Sequence, residues 1–103
     1  MTTYRPNDLD PPADGDLTVA EVAGRRLVVL SAGGTVYALD DECTHQRCSL
    51  STGEVEGMSL FCPCHFAEYD VRTGEVLGGP APAPLQTYPA KVVDGRVEID
   101  VAQ

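Results

Sequence analysis

The chain has 103 residues, a formal net charge of −9 and a hydrophobic share of 43%. This length fits one small domain, whose core gains stability from a bound metal centre or a disulfide. The acidic charge argues against a nucleic-acid-binding protein, because contacts to phosphates need a basic face. It favours protein partners with a basic docking surface, which would associate in a salt-dependent way.

The N-terminal residues carry no sign of a targeting segment. They lack the basic and apolar regions of a secretory signal, and no run in the chain reaches the roughly 18 apolar residues of a membrane span. We therefore expect no membrane span in this chain, and a soluble, cytoplasmic protein. Residues 1–16 are polar and proline-rich, which predicts an extended acidic arm on a single domain of residues 1–103.

Short apolar runs separated by glycine turns predict an all-β protein. Gly33 and Gly34 stand between two such runs and predict a hairpin, and Asp94-Gly95 is the strongest hairpin signal in the chain. We predict a small antiparallel β-sandwich or barrel. The predicted strands cover residues 17–22, 26–30, 35–39, 58–61, 67–72, 75–77, 91–93 and 96–101.

All four cysteines and both histidines lie in two short stretches, residues 43–48 and 62–65. Thiolates and imidazoles are ligands for transition metals, so two such stretches can close a metal centre. Each stretch has one cysteine left over, Cys48 and Cys64, and these form a natural pair. The candidate ligands are Cys43 with His45 and Cys62 with His65.

This pattern of C-x-H, a spacer of residues 46–61 and C-x-x-H resembles that of Rieske-type [2Fe–2S] proteins. The resemblance implies a Rieske-like fold with a cluster-binding subdomain of two loops and one bound [2Fe–2S] cluster. It also implies that the two cysteines bind the inner iron, and that the two histidines bind the outer iron near the surface. Imidazole in place of thiolate removes negative charge and raises the reduction potential.

The surplus cysteines are similar to those of the high-potential Rieske subgroup found in quinol-oxidising complexes. That resemblance implies a Cys48–Cys64 disulfide between the two cluster-binding loops. Such a bridge is unusual in a reducing cytosol. It would persist there by being inaccessible, or the chain would derive from a protein with a membrane anchor outside this sequence.

Four neighbouring residues are expected to tune the cluster, by the same resemblance. Tyr69 is a candidate hydrogen-bond donor to a ligand sulfur, whereas Ala67 replaces a serine that donates to a bridging sulfide. Gln46 replaces an apolar residue that contacts quinone, which weakens a quinol-oxidising reading. Pro80 belongs to a proline-rich loop, residues 78–84, that is expected to fold over the cluster. We expect a potential inside the range of about −150 to +300 mV for Rieske centres.

Three carboxylates, Asp40, Asp41 and Glu42, lead into the first ligand stretch. Charges this close to a cluster would oppose the addition of an electron and lower its potential. The simpler interpretation is a solvated loop entry, and we favour it. Surface carboxylates usually have little effect.

Three other kinds of cysteine site, namely structural zinc, disulfides alone and thiol exchange, fit this pattern less well. Structural zinc sites commonly take two ligands of one kind from each arm, unlike the mixed arms here. A domain held only by disulfides would need an oxidising compartment and would leave the histidines unused. Thiol exchange normally uses two intervening residues, whereas Cys62 and Cys64 are separated by one.

These inferences predict a one-electron carrier, a Rieske ferredoxin that passes electrons from a flavin-dependent reductase to a terminal oxygenase. The chain is not expected to be an enzyme, because no histidine remains for a mononuclear iron site once the cluster ligands are assigned. The alternative is an integral subunit of a quinol-oxidising, molybdenum or reductase complex. A redox sensor is neither supported nor excluded.

Overall fold

The computed structural model describes residues 2–42, 48–64, 67–79 and 83–101. Within them the chain is all-β and every strand pair is antiparallel, as the sequence predicts. Its helical content in these ranges is limited to 3₁₀ turns at Pro6–Asp8 and Leu50–Thr52. The strands are β1 Thr2–Tyr4, β2 Leu17–Val22, β3 Arg25–Ala32, β4 Thr35–Asp40, β5 Glu54–Glu56, β6 Ser59–Phe61, β7 Glu68–Asp70, β8 Val76–Gly78, β9 Thr87–Tyr88, β10 Ala90–Val93 and β11 Arg96–Val101.

The central sheet has the strand order β2-β3-β4-β9. Its β3–β4 hairpin turns at Gly33 and Gly34, whose φ angles of +59° and +82° lie in the left-handed region that favours glycine. The register pairs Leu30 with Tyr37 and Ala32 with Thr35, so the hairpin follows the turn that the sequence predicts.

A second sheet has the order β1-β11-β10. Its β10–β11 hairpin turns at Asp94 and Gly95, both with positive φ, which confirms the Asp-Gly signal. Within the arm predicted for residues 1–16, Thr2–Tyr4 pairs with β11 as an edge strand and Pro6–Asp8 forms a 3₁₀ turn. Pairing uses backbone groups, so a polar segment can add to a free sheet edge without an apolar pattern.

The third sheet, β5-β6-β7-β8, carries the second ligand stretch between β6 and β7. Strand β5 is absent from the predicted elements, because three residues with glutamates at both ends give too short an alternation. The described parts of the chain hold no helix long and apolar enough to cross a membrane.

Strand β3 joins the sheets because it is buried on both faces. Val28 and Leu30 face the core shared with the third sheet, whereas Leu27 and Val29 face the core shared with the second sheet. All four side chains have 0% exposure. The third sheet is therefore held on the central sheet by apolar packing, and the metal-binding stretch is held with it.

Gly53 marks a close approach between the segment after the first ligand stretch and the strand before the second. A Cβ atom there would collide with the carbonyl oxygen of Phe61 and lie 3.1 Å from that of Leu50. Both obstacles are backbone atoms, which cannot move aside as a side chain can.

We predict that Gly53→Ala destabilises the protein by about 1–3 kcal/mol, the usual cost of overpacking. Gly78→Ala is the matched control, because it also has no positive φ and its Cβ would meet only the Glu68 Oε1 atom at 3.8 Å. Denaturant unfolding of the two variants measures the difference. Equal stabilities would show that the backbone approach at Gly53 is not tight.

Candidate metal centre

The second ligand stretch starts at the end of β6 with Cys62. The backbone N–H of Cys62 donates to the carbonyl oxygen of Ala67 at 2.8 Å, which closes the base of this loop. The Cys62 side chain is 1% exposed and belongs to the same core as Leu60 and Tyr69. A thiol at the end of a paired strand, facing the core, is positioned to bind a metal away from water.

The first ligand stretch follows β4, and its described ends lie close together. Glu42 and Ser49 form an isolated antiparallel bridge, and the Leu50 N–H donates to the carbonyl oxygen of Asp41 at 2.7 Å. Leu50 has 0% exposure and anchors the returning chain in the core that contains Cys62. Both ligand stretches therefore start and end against one core.

The disulfide prediction is confirmed: Cys48 and Cys64 are bonded, with 6.5 Å between their Cα atoms. The bridge lies against Cys62, because the Sγ atoms of these three cysteines are within 4.8 Å of one another. It connects a loop that leaves the central sheet to a loop of the third sheet. The two candidate ligand stretches are thus covalently joined.

The donor set fits a Rieske-type cluster. The disulfide takes two of the four cysteines, so Cys43 and Cys62 are the two that lie outside it. Thiolates of this number, with two imidazoles from the same stretches, are the ligands that such a cluster needs. Of the predicted ligands the structure places Cys62. The residues Cys43, His45, Gln46, His65 and Pro80 lie outside the described ranges.

Two of the predicted tuning residues are described. Tyr69 lies on β7 opposite Leu60, and its side chain has 0% exposure in the core that also holds Cys62. Its hydrogen bond to a ligand sulfur stays a prediction. Ala67 is also fully buried, and it offers only a methyl group and the backbone carbonyl that binds Cys62.

Asp41 is not the solvated residue that the sequence suggested. It is 2% exposed, and its Oδ2 atom lies 2.6 Å from Nε of Arg26. Glu42, the next residue, is exposed, so the three consecutive carboxylates do not share one environment. Sequence alone gives no signal for this difference, since the partner Arg26 is on β3, distant in sequence.

Asp40, the first of the three, belongs to a separate contact with Tyr88. The Tyr88 hydroxyl donates to Oδ1 of Asp40 at 2.7 Å, and the Arg25 guanidinium donates to the same hydroxyl at 3.1 Å. Burial, together with the neighbouring Asp40, raises the pKa of Tyr88. The tyrosine therefore stays neutral and acts as a hydrogen-bond donor.

An acidic groove runs beside Cys62. Glu54 and Glu56 are both exposed and lie on one face of β5, because alternate residues of a strand point the same way. The alternation Glu-Val-Glu is the sequence signal from which a shared face for these two glutamates could have been predicted. The groove is lined by Thr52, Gly53, Glu54, Glu56, Phe61, Cys62 and Pro63.

Arg72, the one lysine or arginine among the described residues 54–79, lies at the other end of this sheet. Arg72, in the turn between β7 and β8, donates to the Asp70 carboxylate at 3.0 and 3.1 Å. This hydrogen bond lowers the pKa of Asp70. Among the described residues of the third sheet, Glu54 and Glu56 therefore lie beside Cys62, whereas Arg72 and the exposed Glu75 lie in the β7–β8 turn at the other end.

These features define a small all-β domain with the donor set of an iron–sulfur protein. Comparison with known families gives the particular family: residues 2–89 match the Rieske [2Fe-2S] domain. The chain belongs to the Rieske [2Fe-2S] family, whose cofactor is a Rieske-type cluster. Its extra cysteine pair, bonded in this structure, is that of the high-potential subgroup.

The relatives include ferredoxins and a subunit of a larger complex. The ferredoxin component of a naphthalene 1,2-dioxygenase system from Pseudomonas putida is 37% identical over 86% of both chains. The ferredoxin in a solved complex of reduced oxygenase and oxidised ferredoxin of carbazole 1,9a-dioxygenase is 29% identical, with a TM-score of 0.84. That match covers 90% of this chain and 99% of that one. The cytochrome b6-f iron–sulfur subunit of Chlorobaculum tepidum is 35% identical over 75% of this chain and 41% of that protein.

We predict that replacing both bridge cysteines, Cys48→Ser with Cys64→Ser, lowers the free energy of unfolding by about 3 kcal/mol, because a loop of this length restricts the unfolded chain by that amount. Denaturant unfolding of the cluster-loaded protein measures the loss. Reductant should lower the stability of the wild-type protein and leave the double variant unchanged. A double variant as stable as wild type would show that the bridge does not hold the loops.

Proposed function

We propose that residues 1–103 form one Rieske domain that works as a ferredoxin, an independent carrier of single electrons from a flavin-dependent reductase to a terminal oxygenase. The observation that carries this proposal is the match over 86% of a dioxygenase ferredoxin component. The likeness to a ferredoxin solved with its oxygenase supports the same partner. A cytoplasmic location remains part of the prediction.

The chain itself supplies no oxygenase site. A mononuclear iron site of the facial type needs two histidines besides a carboxylate. The sequence contains two histidines, and the proposal assigns both to the cluster. The protein therefore works as an electron-transfer component and not as an enzyme.

The alternative, an integral subunit of a quinol-oxidising complex, is favoured by the disulfide. This chain spans less than half of the cytochrome b6-f subunit, whereas it covers 86% of the ferredoxin component. Gln46 also gives a polar side chain where a quinone-contacting position would be apolar. We therefore prefer the ferredoxin.

The proposed ligands are Cys43, His45, Cys62 and His65. When bound, the cluster supplies a site that gains or loses one electron. Buried Cys62 would hold the inner side of this site in the core, away from water. By resemblance to the Rieske family, we assign the two histidines to the outer iron, from which the electron would leave.

We predict that His45→Ala and His65→Ala each abolish the Rieske signature of the loaded protein, because each removes an imidazole from the outer iron. Electron paramagnetic resonance of the reduced protein and visible circular dichroism measure it. The Cys48→Ser, Cys64→Ser double variant is the control and should retain the signature. An unchanged spectrum in either histidine variant would contradict the ligand assignment and the proposed function with it.

The acidic groove beside Cys62 is the proposed docking surface for basic partners. Glu54 is opposite Phe61 in the register, one residue from Cys62, and its side chain is exposed. A partner cation at this groove would lie close to the cluster. Complementary charge mainly raises the rate of encounter, and salt screens it.

We predict that Glu54→Gln lowers the rate of electron transfer to cytochrome c, a basic acceptor, by roughly twofold to fivefold at low salt. Stopped-flow kinetics against ionic strength measures the effect, which should vanish at high salt. Glu75→Gln removes the same charge from the far end of the same sheet, in the turn that follows β7, and is the matched control. Equal effects of the two substitutions would show that net charge, and not this groove, steers the partner.

A further inference from the structure

The two ligand loops are closed at their bases by different means. Strands β6 and β7 are paired, so the loop between them is the end of a hairpin, and the Cys62–Ala67 hydrogen bond continues the ladder. The base of this loop needs no other interaction to close it. Its ends are fixed by backbone pairing alone.

In the described residues, the first loop is closed by a single antiparallel bridge between Glu42 and Ser49 and not by a pair of consecutive strands. Strand β4 pairs with β3 and β9, and the segment after the loop, from Leu50, enters a 3₁₀ turn and then the third sheet. The chain therefore leaves one sheet and returns to another. Something other than a strand ladder has to fix the distance between the loop ends.

Asp41 makes contacts to both ends. On the side of the central sheet, its N–H donates to the Arg26 carbonyl oxygen at 3.1 Å and its Oδ2 accepts from Arg26 Nε at 2.6 Å. On the returning side, its carbonyl oxygen accepts from the Leu50 N–H and its Oδ1 accepts from the Ser51 N–H at 2.7 Å. The Ser51 hydroxyl lies 3.4 Å from Oδ2.

We propose that Asp41 is a positioning residue that clamps the base of the first ligand loop and thereby sets where Cys43 and His45 stand against the cluster. The inference rests on the ligand assignment of the proposed function. Asp41 lies two residues before Cys43, and Glu42 and Ser49 are bridged directly above the clamp. The loop carries both ligands and the disulfide cysteine between these bridged residues.

A charged clamp suits this position better than an apolar one. Each carboxylate oxygen accepts from an N–H donor, and such charge-assisted bonds are short and directional. A buried carboxylate also needs its partners, because removal of one leaves an uncompensated charge. The clamp therefore holds the two loop ends at one fixed separation.

The variant Asp41→Asn tests whether the role of Asp41 depends on its charged contacts or only on its being buried. An amide has one acceptor oxygen and one donor group, so Asp41→Asn places an NH₂ group against either the Arg26 or the Ser51 donor. The neighbouring Asp40 uses Oδ1 alone among the described residues, as acceptor from Tyr88. Asp40→Asn keeps that acceptor and removes the same charge one residue away, which makes it the matched control.

The experiment follows cluster loss under a chelator and records visible circular dichroism and electron paramagnetic resonance for wild type and both variants. Asp41→Asn should lose the cluster roughly tenfold faster, the factor expected when one charge-assisted hydrogen bond is lost. Its spectra should shift, because the ligand geometry loosens. Asp40→Asn should match wild type in lifetime and line shape.

Three results overturn the proposal. Asp41→Asn could show the wild-type cluster lifetime and spectra, or Asp40→Asn could change both as much as Asp41→Asn does. Asp41→Asn could also lose the cluster faster with unchanged spectra, which would indicate a structural role only. If Asp41→Asn does not fold, Arg26→Gln decides, because it removes the guanidinium contact to Oδ2 and keeps the backbone bond and the Ser51 contacts. A shorter cluster lifetime with shifted spectra supports the clamp, and wild-type behaviour overturns it. A wild-type protein without Rieske spectra would overturn the proposed function as well, which separates the two failures.

Discussion

The structure depends on holding together two loops that leave different sheets. A cluster that took the proposed ligands from both loops would need them at a fixed separation. In the described residues a paired hairpin supplies this for the second loop, whereas a single antiparallel bridge closes the first. The Cys48–Cys64 bridge joins the loops to each other, and its sulfurs pack against the Cys62 sulfur. The covalent bond also restricts the unfolded chain. Part of the conformational entropy that is lost when the loops come together is therefore already lost before the cluster binds.

The bridge can work only because the sheets beneath the loops are fixed. Strand β3 is buried on both faces, so the central sheet contributes to two cores at once. One of these cores contains Leu50, which follows the first loop, and Cys62, which begins the second. Apolar burial therefore sets the coarse position of both loops, and the directional contacts of Asp41 and the disulfide set the fine position.

The sequence predicts the parts of this arrangement that have a local cause. The hairpins at Gly33-Gly34 and Asp94-Gly95 follow from backbone conformations that few other residues adopt, and the cysteine pairing follows from the family resemblance. Strand β1 and the buried state of Asp41 could not be predicted, because both depend on partners distant in sequence. Asp40, Asp41 and Glu42 look alike in the sequence, and only the fold gives Asp41 its contacts to Arg26 and Ser51.

The position of each carboxylate determines whether it affects the reduction potential of the carrier or its encounter with partners. Asp41 is buried, where charges interact strongly, but the Arg26 guanidinium at 2.6 Å would offset its charge toward a bound cluster. Glu54 and Glu56 are exposed, so water and salt weaken their effect on the reduction potential. The same exposure leaves them accessible to the basic partner proposed above, whose encounter rate they would raise. An acidic protein can thus steer its partners without making its own reduction much harder, provided that its uncompensated charges stay on the surface.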